Sequence, residues 1–361
     1  MSAPVAAFAY YLPQFYPSEF NARWWGEGFT EWVSLLRAHR GHRSPADALV
    51  TPGELGFYDL RDREVRARQG DLARAGGLSA FCLYHYWSGG SRPLPVVEDL
   101  VLSDGQPDLP FFLGWANHDW SLAWKGDPTV TLRQEYDERH DDRHIGFLLE
   151  GMRDPRYWTV DGRHVLLVYD PMSVPSMADV SARWRAVAKR AGVDLMLLGA
   201  TRTGVVPPPG DLGLDRWVEG TAHVLAAGGR WSRAAHSLRS PGSAWRHLRH
   251  RDVSWSYPAL AGRLRATLAD YPPGTVPLVL SGWNNVGRRH RRASSTNADP
   301  ATFREAVAAA AALAPVVGTG RDARRLLAVN AWNEWGEGMT LEPSTEFGRG
   351  MLDALCAGLS G

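Results

Sequence analysis

The sequence has few cysteines, no long apolar run and almost no net charge, and each shortage excludes a class of protein. Cys82 and Cys356 are too few for a disulfide framework or a structural zinc site. The most apolar run, residues 306–317, contains Pro315 and is too short to span a bilayer. Forty basic and 39 acidic residues give a net charge of +1, so no overall field attracts nucleic acid. We therefore expect neither a nucleic-acid partner nor integral membrane association.

The amino terminus also lacks the marks of a signal peptide. MSAPVAAFAYYLPQF has neither a charged leading segment nor a cleavable apolar stretch, and we expect a cytoplasmic protein. With 361 residues, 44% of them hydrophobic and 22% charged, the chain has the composition of a globular protein with a large core.

Aromatic residues are plentiful, with 16 tryptophans, 11 tyrosines and 11 phenylalanines. Many tryptophans lie beside Gly, Asn or Glu, whereas core aromatics are usually flanked by aliphatic residues. A groove for sugar rings needs flat apolar faces beside hydrogen-bonding groups, and this pattern is typical of one. Large aromatics also fill large cores, so some of these residues are expected in the interior.

Short apolar runs alternate with amphipathic segments along the chain. Runs of four to eight apolar residues are typical of parallel strands buried on both faces. The predicted strands are 5–12, 78–86, 110–115, 164–169, 194–200, 216–220, 276–281 and 326–331. The predicted helices are 62–75, 96–103, 139–152, 177–191, 259–269 and 300–314, the last with Asp299 as N-cap and Pro300 as its first residue.

Eight strands joined by helical segments predict a TIM-type (β/α)8 barrel with long βα loops. A doubly wound open sheet has the same periodicity and is the alternative. Residues 13–60 form a long first connection, which we expect to be an ordered wall of a site. Residues 221–275 have only patchy periodicity. No repeat or linker divides the chain, so we expect one catalytic domain over residues 1–361.

In a TIM-type barrel, functional groups lie at the carboxyl ends of the strands. Reading those ends and their tryptophan-rich loops gives the candidate substrate-binding residues. These are Tyr11, Gln14, Trp25, His85, Tyr86, Trp87, Trp115, Asn117, Asp119, Trp120, Tyr169, Trp283, Asn333 and Trp335. His118, Asp170, Glu219, Asn284 and Asn285 fall at the same ends.

Glu334 and Glu337 follow the last strand and are three residues apart. If both face one ligand, repulsion and burial raise the pKa of one carboxyl and leave the other ionised, which provides an acid and a base. An alternative is that one of them caps a helix or pairs with an arginine. Their position after a barrel strand, among Trp and Asn, favours the catalytic interpretation.

Several linked motifs resemble those of a known family. They are YYLPQFYP (10–17), WWGEGFTEW (24–32), LGFYDLRD (55–62), FCLYHYW (81–87), GWANHDWSLAWKG (114–126), DPRYWTVDGRHVLLVY (154–169), GWNNVGRR (282–289) and NAWNEWGEGMTLEP (330–343). Together they resemble the WbsX-like family of bacterial surface-polysaccharide proteins, which is related to glycoside hydrolase family 99, the endo-α-1,2-mannosidases. The resemblance spans nearly the whole chain and implies a (β/α)8 barrel.

The resemblance also implies a mechanism for the Glu334–Trp–Gly–Glu337 segment. Glu334 would deprotonate the sugar 2-hydroxyl, which attacks C1 to give a 1,2-anhydro sugar. Glu337 would be the acid for the leaving oxygen and then the base for the incoming water or acceptor. The reaction is retaining, cleaves an α-linked, mannose-like bond and needs no cofactor or metal.

Two positions depart from the family pattern. Family members usually read WANENW, whereas here His118 replaces the acidic residue, with Asp119 as its neighbour. Asn284 stands where the later GWDNTPRR-like motif has Asp. Both changes alter the expected wall of the site but leave Glu334 and Glu337 intact.

Three other patterns carry less weight. His140 and His144 are four residues apart, and we interpret them as a solvated helix face rather than a metal site. The cluster 288–292 (RRHRR) suits a phosphate, an acidic glycan or an exposed loop equally well. Glu27 and Glu31 are interpreted as hydrogen-bonding residues that hold the long first loop.

These observations predict a carbohydrate-active enzyme with an oligo- or polysaccharide substrate. A glycoside hydrolase is the first hypothesis. A glycosyltransferase or transglycosylase of cell-surface polysaccharide synthesis is the second, and a non-catalytic glycan-binding barrel is the third.

Overall fold

A parallel barrel forms the centre of the computed structural model, which describes residues 3–40, 50–122, 129–200, 206–220, 253–284, 293–296 and 298–360. The strands, in chain order, are β1 (Val5–Tyr11), β2 (Leu78–His85), β3 (Phe111–Trp115), β4 (Trp120–Ser121), β5 (Val130–Leu132), β6 (Thr159–Val160), β7 (Arg163–Val168), β8 (Leu195–Ala200), β9 (Arg216–Val218), β10 (Val253–Ser256), β11 (Leu278–Leu280), β12 (Ala293–Thr296), β13 (Val316–Val317), β14 (Arg324–Asn330), β15 (Asn333–Glu334) and β16 (Met339–Thr340).

Eight parallel strands follow one another in the order β11-β14-β1-β2-β3-β7-β8-β9. A parallel bridge between Val218 and Val276 brings the two ends of this path together, so the barrel is nearly closed. Two short strands, β6 and β13, add antiparallel pairs to β7 and β14. The predicted barrel is confirmed, and all eight predicted strands correspond to strands of this path.

Helices cover the outside of the barrel. They are α1 (Glu19–Trp25), α2 (Glu31–Arg40), α3 (Arg63–Ala75), α4 (Val96–Asp104), α5 (Glu138–Gly151), α6 (Met177–Arg190), α7 (Tyr257–Leu268), α8 (Pro300–Leu313) and α9 (Gly350–Ser360). Single 3₁₀ turns cover Pro171–Ser173, Pro209–Leu212, Gly320–Asp322 and Trp335–Glu337.

The six predicted helices are all present as α3 to α8. The side chain of Asp299 accepts a hydrogen bond from the backbone N–H of Thr302, which completes a capping box at the start of α8. The prediction did not include α1 and α2, which order the first connection, or α9, which packs on α8 and α3.

Side chains alternate between the barrel interior and the helix layer along each strand. Inside, Phe8, Phe112 and Trp158 pack ring against ring, with centroids 5.1 to 5.9 Å apart, and fill the lower part of the barrel. This buried apolar layer supports the end of the barrel at which the parallel strands terminate, called the mouth below.

No helix in the described ranges is both long and apolar enough to cross a membrane.

Candidate functional site

Three tyrosine rings lie inside the barrel at the level of the mouth. Tyr10 of β1 meets Tyr84 of β2 with centroids 5.7 Å apart, and Tyr84 meets Tyr169, at the end of β7, at 6.1 Å. The contact between Tyr84 and Tyr169 passes over β3, where Gly114 pairs with Tyr84. A Cβ on Gly114 would lie 2.7 Å from the sulfur of Cys82. The missing side chain therefore leaves space for this layer, called the tyrosine floor.

A second group of side chains rises from the tyrosine floor on one side. The side-chain N–H of Gln14 donates to the hydroxyl of Tyr86. The ring of Tyr86 meets that of Trp120 edge to face at 4.7 Å, and Trp120 in turn meets Phe20 of α1 at 5.4 Å. Trp120 and Phe20 are half-buried. This wall combines flat apolar faces with hydroxyl and amide groups, as a sugar-binding surface requires.

The carboxylate turn, residues 334–337, lies after β14. Its geometry is set by the pairing of Asn333 with Thr340 and by the 3₁₀ turn at Trp335–Glu337. Gly338 ends the turn with φ of +62°, a conformation that favours glycine. The backbone N–H of Asn284 donates to the carbonyl oxygen of Glu337 at 2.7 Å. The loop after β11 therefore lies directly against the turn.

The charge of Glu334 acts on the tyrosines of the floor and wall. Burial raises the pKa of Tyr84 and Tyr86 well above the usual value, and the negative charge of Glu334 raises both further. Both phenols therefore stay protonated at neutral pH and can donate hydrogen bonds. Glu334 is half-buried and its Oε1 atom is shielded from solvent, and Glu337 is half-buried.

Gln14, Tyr86, Trp120, Tyr169 and Glu334 are thus brought together at the mouth, and their roles in binding and catalysis stay predictions. The backbone N–H of Asn284 brings the segment that contains Trp283 against Glu337, and Trp283 itself is buried. Trp25, the last residue of α1, is half-buried and stacks on Phe29 with centroids 5.2 Å apart.

Other predicted binding residues lie on the helix side of the strands and are completely buried. The Tyr11 hydroxyl donates to Gln69 of α3 at 2.8 Å. Trp115 packs against His144 of α5 and Trp184 of α6, and its indole N–H donates to the carbonyl of Trp87. Because these side chains point away from the barrel interior, the structure gives them a packing role behind the site.

His85 forms a buried pair with His144, and Trp87 packs against this pair. His85 Nδ1 lies 2.9 Å from a carboxylate oxygen of Glu98, and its Nε2 lies 3.0 Å from Nε2 of His144. Trp87 stacks on His144 with centroids 4.7 Å apart. Burial lowers the pKa of His144 well below its usual value. The expectation of a solvated face at His144 is therefore wrong, because aromatic rings cover this imidazole.

The remaining predicted residues brace the backbone at the mouth. Asn117 receives a hydrogen bond from Asp170 N and donates to Asp170 O, both at 2.7 Å, which joins the ends of β3 and β7. Asn333 forms the same kind of double bond with the backbone of Leu12, at 2.7 and 3.1 Å. Trp335 is buried and turned away from the mouth, and it donates to Glu342.

Asp119 and His118 occupy different environments. Asp119 is exposed, and it accepts a hydrogen bond from the backbone N–H of Gln134, which holds the β4–β5 hairpin. The ring of His118 is half-buried and lies 5.4 Å from that of Tyr169. The position that departs from the family pattern therefore faces the tyrosine floor, and its acidic neighbour does not.

The sequence interpretation missed Tyr10, Tyr84 and Glu342. Tyr10 and Tyr84 immediately precede Tyr11 and His85, which were predicted as binding residues. Successive side chains of a strand point to opposite faces, and the sequence does not show which of the two faces the barrel interior. Glu31 was assigned to the loop, but it is buried and its charge also raises the pKa of Tyr86, after burial and Glu334. Asn285, the cluster 288–292, the side chain of His140 and most of 221–275 lie outside the described residues.

Among the residues described here, no group of three or more His, Cys, Asp or Glu side chains is arranged to hold a metal ion.

Comparisons with known proteins identify a matching family model and two related sequences. The family model described as Glycosyltransferase WbsX matches residues 7–355. Two proteins named WxcX, from two strains of Xanthomonas campestris pv. campestris, are each 34% identical over 363 residues. The match covers 97% of this chain and 49% of theirs. The chain thus spans about half the length of the curated relatives it matches.

Solved structures share the fold. A protein described as glycoside hydrolase-like aligns with a TM-score of 0.58 at 14% identity, over 99% of this chain and 94% of its own. The GH99 endo-α-mannosidase from Bacteroides thetaiotaomicron, in complex with bis-tris-propane, aligns with a TM-score of 0.56 at 12% identity, over 99% and 98%. Identities this low show a common barrel fold and nothing finer.

Proposed function

The chain belongs to the WbsX glycosyltransferase family, and from this premise we propose that it is an enzyme acting at an α-glycosidic bond with retention of configuration. The observation that carries the proposal is that the charge of Glu334 acts on Tyr84 and Tyr86, at a mouth lined by packed aromatic rings. A carboxylate next to phenol donors and flat apolar faces suits a sugar ring, which has hydroxyl edges and C–H faces.

We assign the first chemical step to Glu334 and Glu337. The carboxylate of Glu334 takes the proton of the sugar 2-hydroxyl, and O2 forms a bond to C1 while the bond from C1 to the leaving oxygen breaks. The carboxylic acid of Glu337 gives its proton to that leaving oxygen. The products are a 1,2-anhydro sugar, a free hydroxyl on the leaving group, a protonated Glu334 and an ionised Glu337.

The second step reverses the roles of the two carboxyl groups. Glu337 takes a proton from water or from an acceptor hydroxyl, whose oxygen attacks C1 and opens the anhydro ring. Glu334 returns its proton to O2. Two inversions at C1 give net retention without a sugar ester on the protein, in contrast to the usual retaining route. The aromatic wall then decides between water and acceptor, since excluding water favours transfer.

Hydrolysis and transfer are both compatible with this chemistry. The resemblance of the Glu334–Trp–Gly–Glu337 segment to the carboxylate pair of the endo-α-1,2-mannosidases favours a hydrolase. The description of the matching family as a glycosyltransferase favours transfer, within surface polysaccharide synthesis. We propose that one catalytic domain acts on an oligo- or polysaccharide, either by hydrolysing it or by transferring a sugar to an acceptor. A mannose-like α-glycoside is the first substrate to test.

The decisive experiment compares an activated α-mannoside with its 2-deoxy and 2-O-methyl analogues, with products followed by NMR. We expect turnover of the parent with retention and none of the analogues, because Glu334 has no proton to remove from them. Turnover of the 2-deoxy compound at the parent rate would refute the 2-hydroxyl mechanism. A parallel panel of nucleotide sugars tests the transferase, and binding without turnover of any compound would favour the non-catalytic barrel.

A further inference from the structure

A buried carboxyl group lies directly behind the carboxylate turn. Glu342 follows β16 and is 1% exposed. Its Oε1 accepts a hydrogen bond from Gln69 Nε2 at 2.6 Å. Its Oε2 accepts from the Tyr58 hydroxyl at 2.8 Å and from the Trp335 indole N–H at 2.7 Å. Three donors from three separate segments therefore converge on one side chain.

The donor set requires an acceptor with two oxygens. An ionised carboxylate can accept all three hydrogen bonds, whereas an amide of the same shape would present its own N–H₂ to one of the donors. Burial opposes ionisation and raises the pKa of Glu342 to about 7. A carboxyl group that is buried at this cost and accepts hydrogen bonds from three donors is expected to hold its neighbours in a fixed arrangement.

The three donors link the turn to the scaffold. Trp335 lies between Glu334 and Glu337 in the carboxylate turn. Gln69 belongs to α3 and accepts a hydrogen bond from Tyr11 of β1, and Tyr58 belongs to the first connection. Glu342 therefore connects Trp335, within the carboxylate turn, to α3 and to the first connection, and through Gln69 to β1.

The backbone around Glu342 reinforces this arrangement. The backbone N–H groups of Leu341 and Glu342 both point at the carbonyl oxygen of Trp332, at 2.9 and 3.3 Å. The Thr340 hydroxyl donates to the same oxygen at 3.0 Å. The segment after the turn is thus folded back on the segment before it, and the only side-chain hydrogen bond from Trp335 described here runs to Glu342.

We propose that Glu342 is a positioning residue that fixes the carboxylate turn through Trp335 and thereby sets the relative placement of Glu334 and Glu337. The inference rests on the proposed function for its effect on catalysis, but the positioning itself is a property of the protein without substrate. Glu342 does not contact the sugar in this proposal.

The test uses variants that remove hydrogen bonds around Glu342, together with a distant control. Trp335→Phe removes the N–H that reaches Glu342 from within the turn, and Glu342→Gln disturbs all three donors. Tyr58→Phe removes a donor to the same Oε2 atom from outside the turn. Ser181→Ala is the distant control, because Ser181 is buried in α6 and its hydroxyl donates to Leu212 O at 2.8 Å.

Amide hydrogen exchange of the peptide covering residues 333–342 needs no substrate and is the first measurement. We expect exchange to rise about tenfold or more in Trp335→Phe and Glu342→Gln, because the turn opens locally. We expect little change in Ser181→Ala and a smaller one in Tyr58→Phe. Unchanged exchange in folded Trp335→Phe would overturn the proposal, even if Glu342→Gln does not fold.

Kinetics on an active substrate provide the second measurement. Misplacing the carboxyl groups is expected to lower kcat by about 10- to 100-fold with little change in KM. Loss of stability without a change in kcat would assign Glu342 a purely structural role and overturn the proposal. If the wild-type protein turns over none of the substrates while the exchange result holds, the proposed function fails and the positioning stands.

Discussion

The backbone N–H of Asn284 lies 2.7 Å from the carbonyl oxygen of Glu337, and a Cβ on Gly338 would lie 2.8 Å from the Cβ of Asn284. The loop after β11 and the carboxylate turn therefore pack with no space for an added atom. Any side chain introduced at Gly338 must displace one of the two segments that form this part of the mouth.

We expect Gly338→Ala to destabilise the protein and to reduce its activity. The left-handed conformation costs about 1 kcal/mol for alanine, and contact with Asn284 adds to that cost. Gly348→Ala is the matched control, because Gly348 has φ of +53° and open space around its Cβ position. Thermal unfolding should show a larger loss for Gly338→Ala. Equal losses of stability in the two variants would mean that Asn284 moves aside at no energetic cost.

Replacing Glu337 with Gln tests its role as the acid. We expect the rate on substrates with poor leaving groups to fall by about 10²- to 10⁴-fold. Substrates with very acidic leaving groups should recover much of the first step, since they need no proton. Steady-state rates on a leaving-group series measure this, with the exposed Glu346→Gln as control. Equal loss across the series would argue that Glu337 is structural.

Trp120 is expected to contribute to substrate binding rather than to chemistry. Trp120→Ala removes the half-buried ring that meets Tyr86 and should raise KM about tenfold with kcat nearly unchanged, because the ring contacts ground and transition states alike. Trp120→Tyr keeps a flat face and should recover most of the affinity. A selective fall in kcat would instead place Trp120 at the reacting atoms.

Glu219 gives a pH-dependent prediction for stability. The group is buried at the end of β9, accepts hydrogen bonds from Thr267 and from the backbone N–H of Leu278, and burial raises its pKa to about 7. The unfolded chain releases this proton near pH 4.5, whereas the folded protein keeps it. The contribution of Glu219 to stability is therefore lost as the pH rises from about 4.5 to 7.

We expect Glu219→Gln to gain about 2 kcal/mol relative to wild type between pH 5 and pH 8. Denaturant unfolding at the two pH values measures the difference. Glu54→Gln is the control, because paired arginines lower the pKa of Glu54 to about 2, and its difference from wild type should stay constant over this range. A constant difference for Glu219→Gln as well would show that the group is ionised throughout.

The barrel was predictable because its strands are short, continuous apolar runs separated by helices of regular periodicity. The side-chain direction at the strand ends was not. In a strand buried on both faces, polar and apolar residues do not alternate, so nothing in the sequence distinguishes the inward Tyr10 from the outward Tyr11. For the same reason, the sequence does not distinguish the inward Tyr84 from the outward His85.

Glu342 was missed for a different physical reason. A glutamate outside a strand or helix is expected at the surface, and only the donors that surround it in three dimensions explain its burial. Tyr58 and Gln69 are 284 and 273 residues from Glu342 in the sequence, and only Trp335, 7 residues away, is near it. The sequence therefore identified the acidic pair of the turn but not the group that supports it.

The hydrogen bonds between Asn333 and the backbone of Leu12 join positions 321 residues apart in the chain. On a ribosome adding about 5–20 residues per second, β1 waits roughly 16–64 s for its β14 neighbour to be synthesised. Contacts of such long range also slow folding, because a large loop must close before they form. The edge of β1 that pairs with β14 therefore stays without its neighbour until residues 324–330 have been synthesised, and the link from Asn333 to Leu12 forms later still.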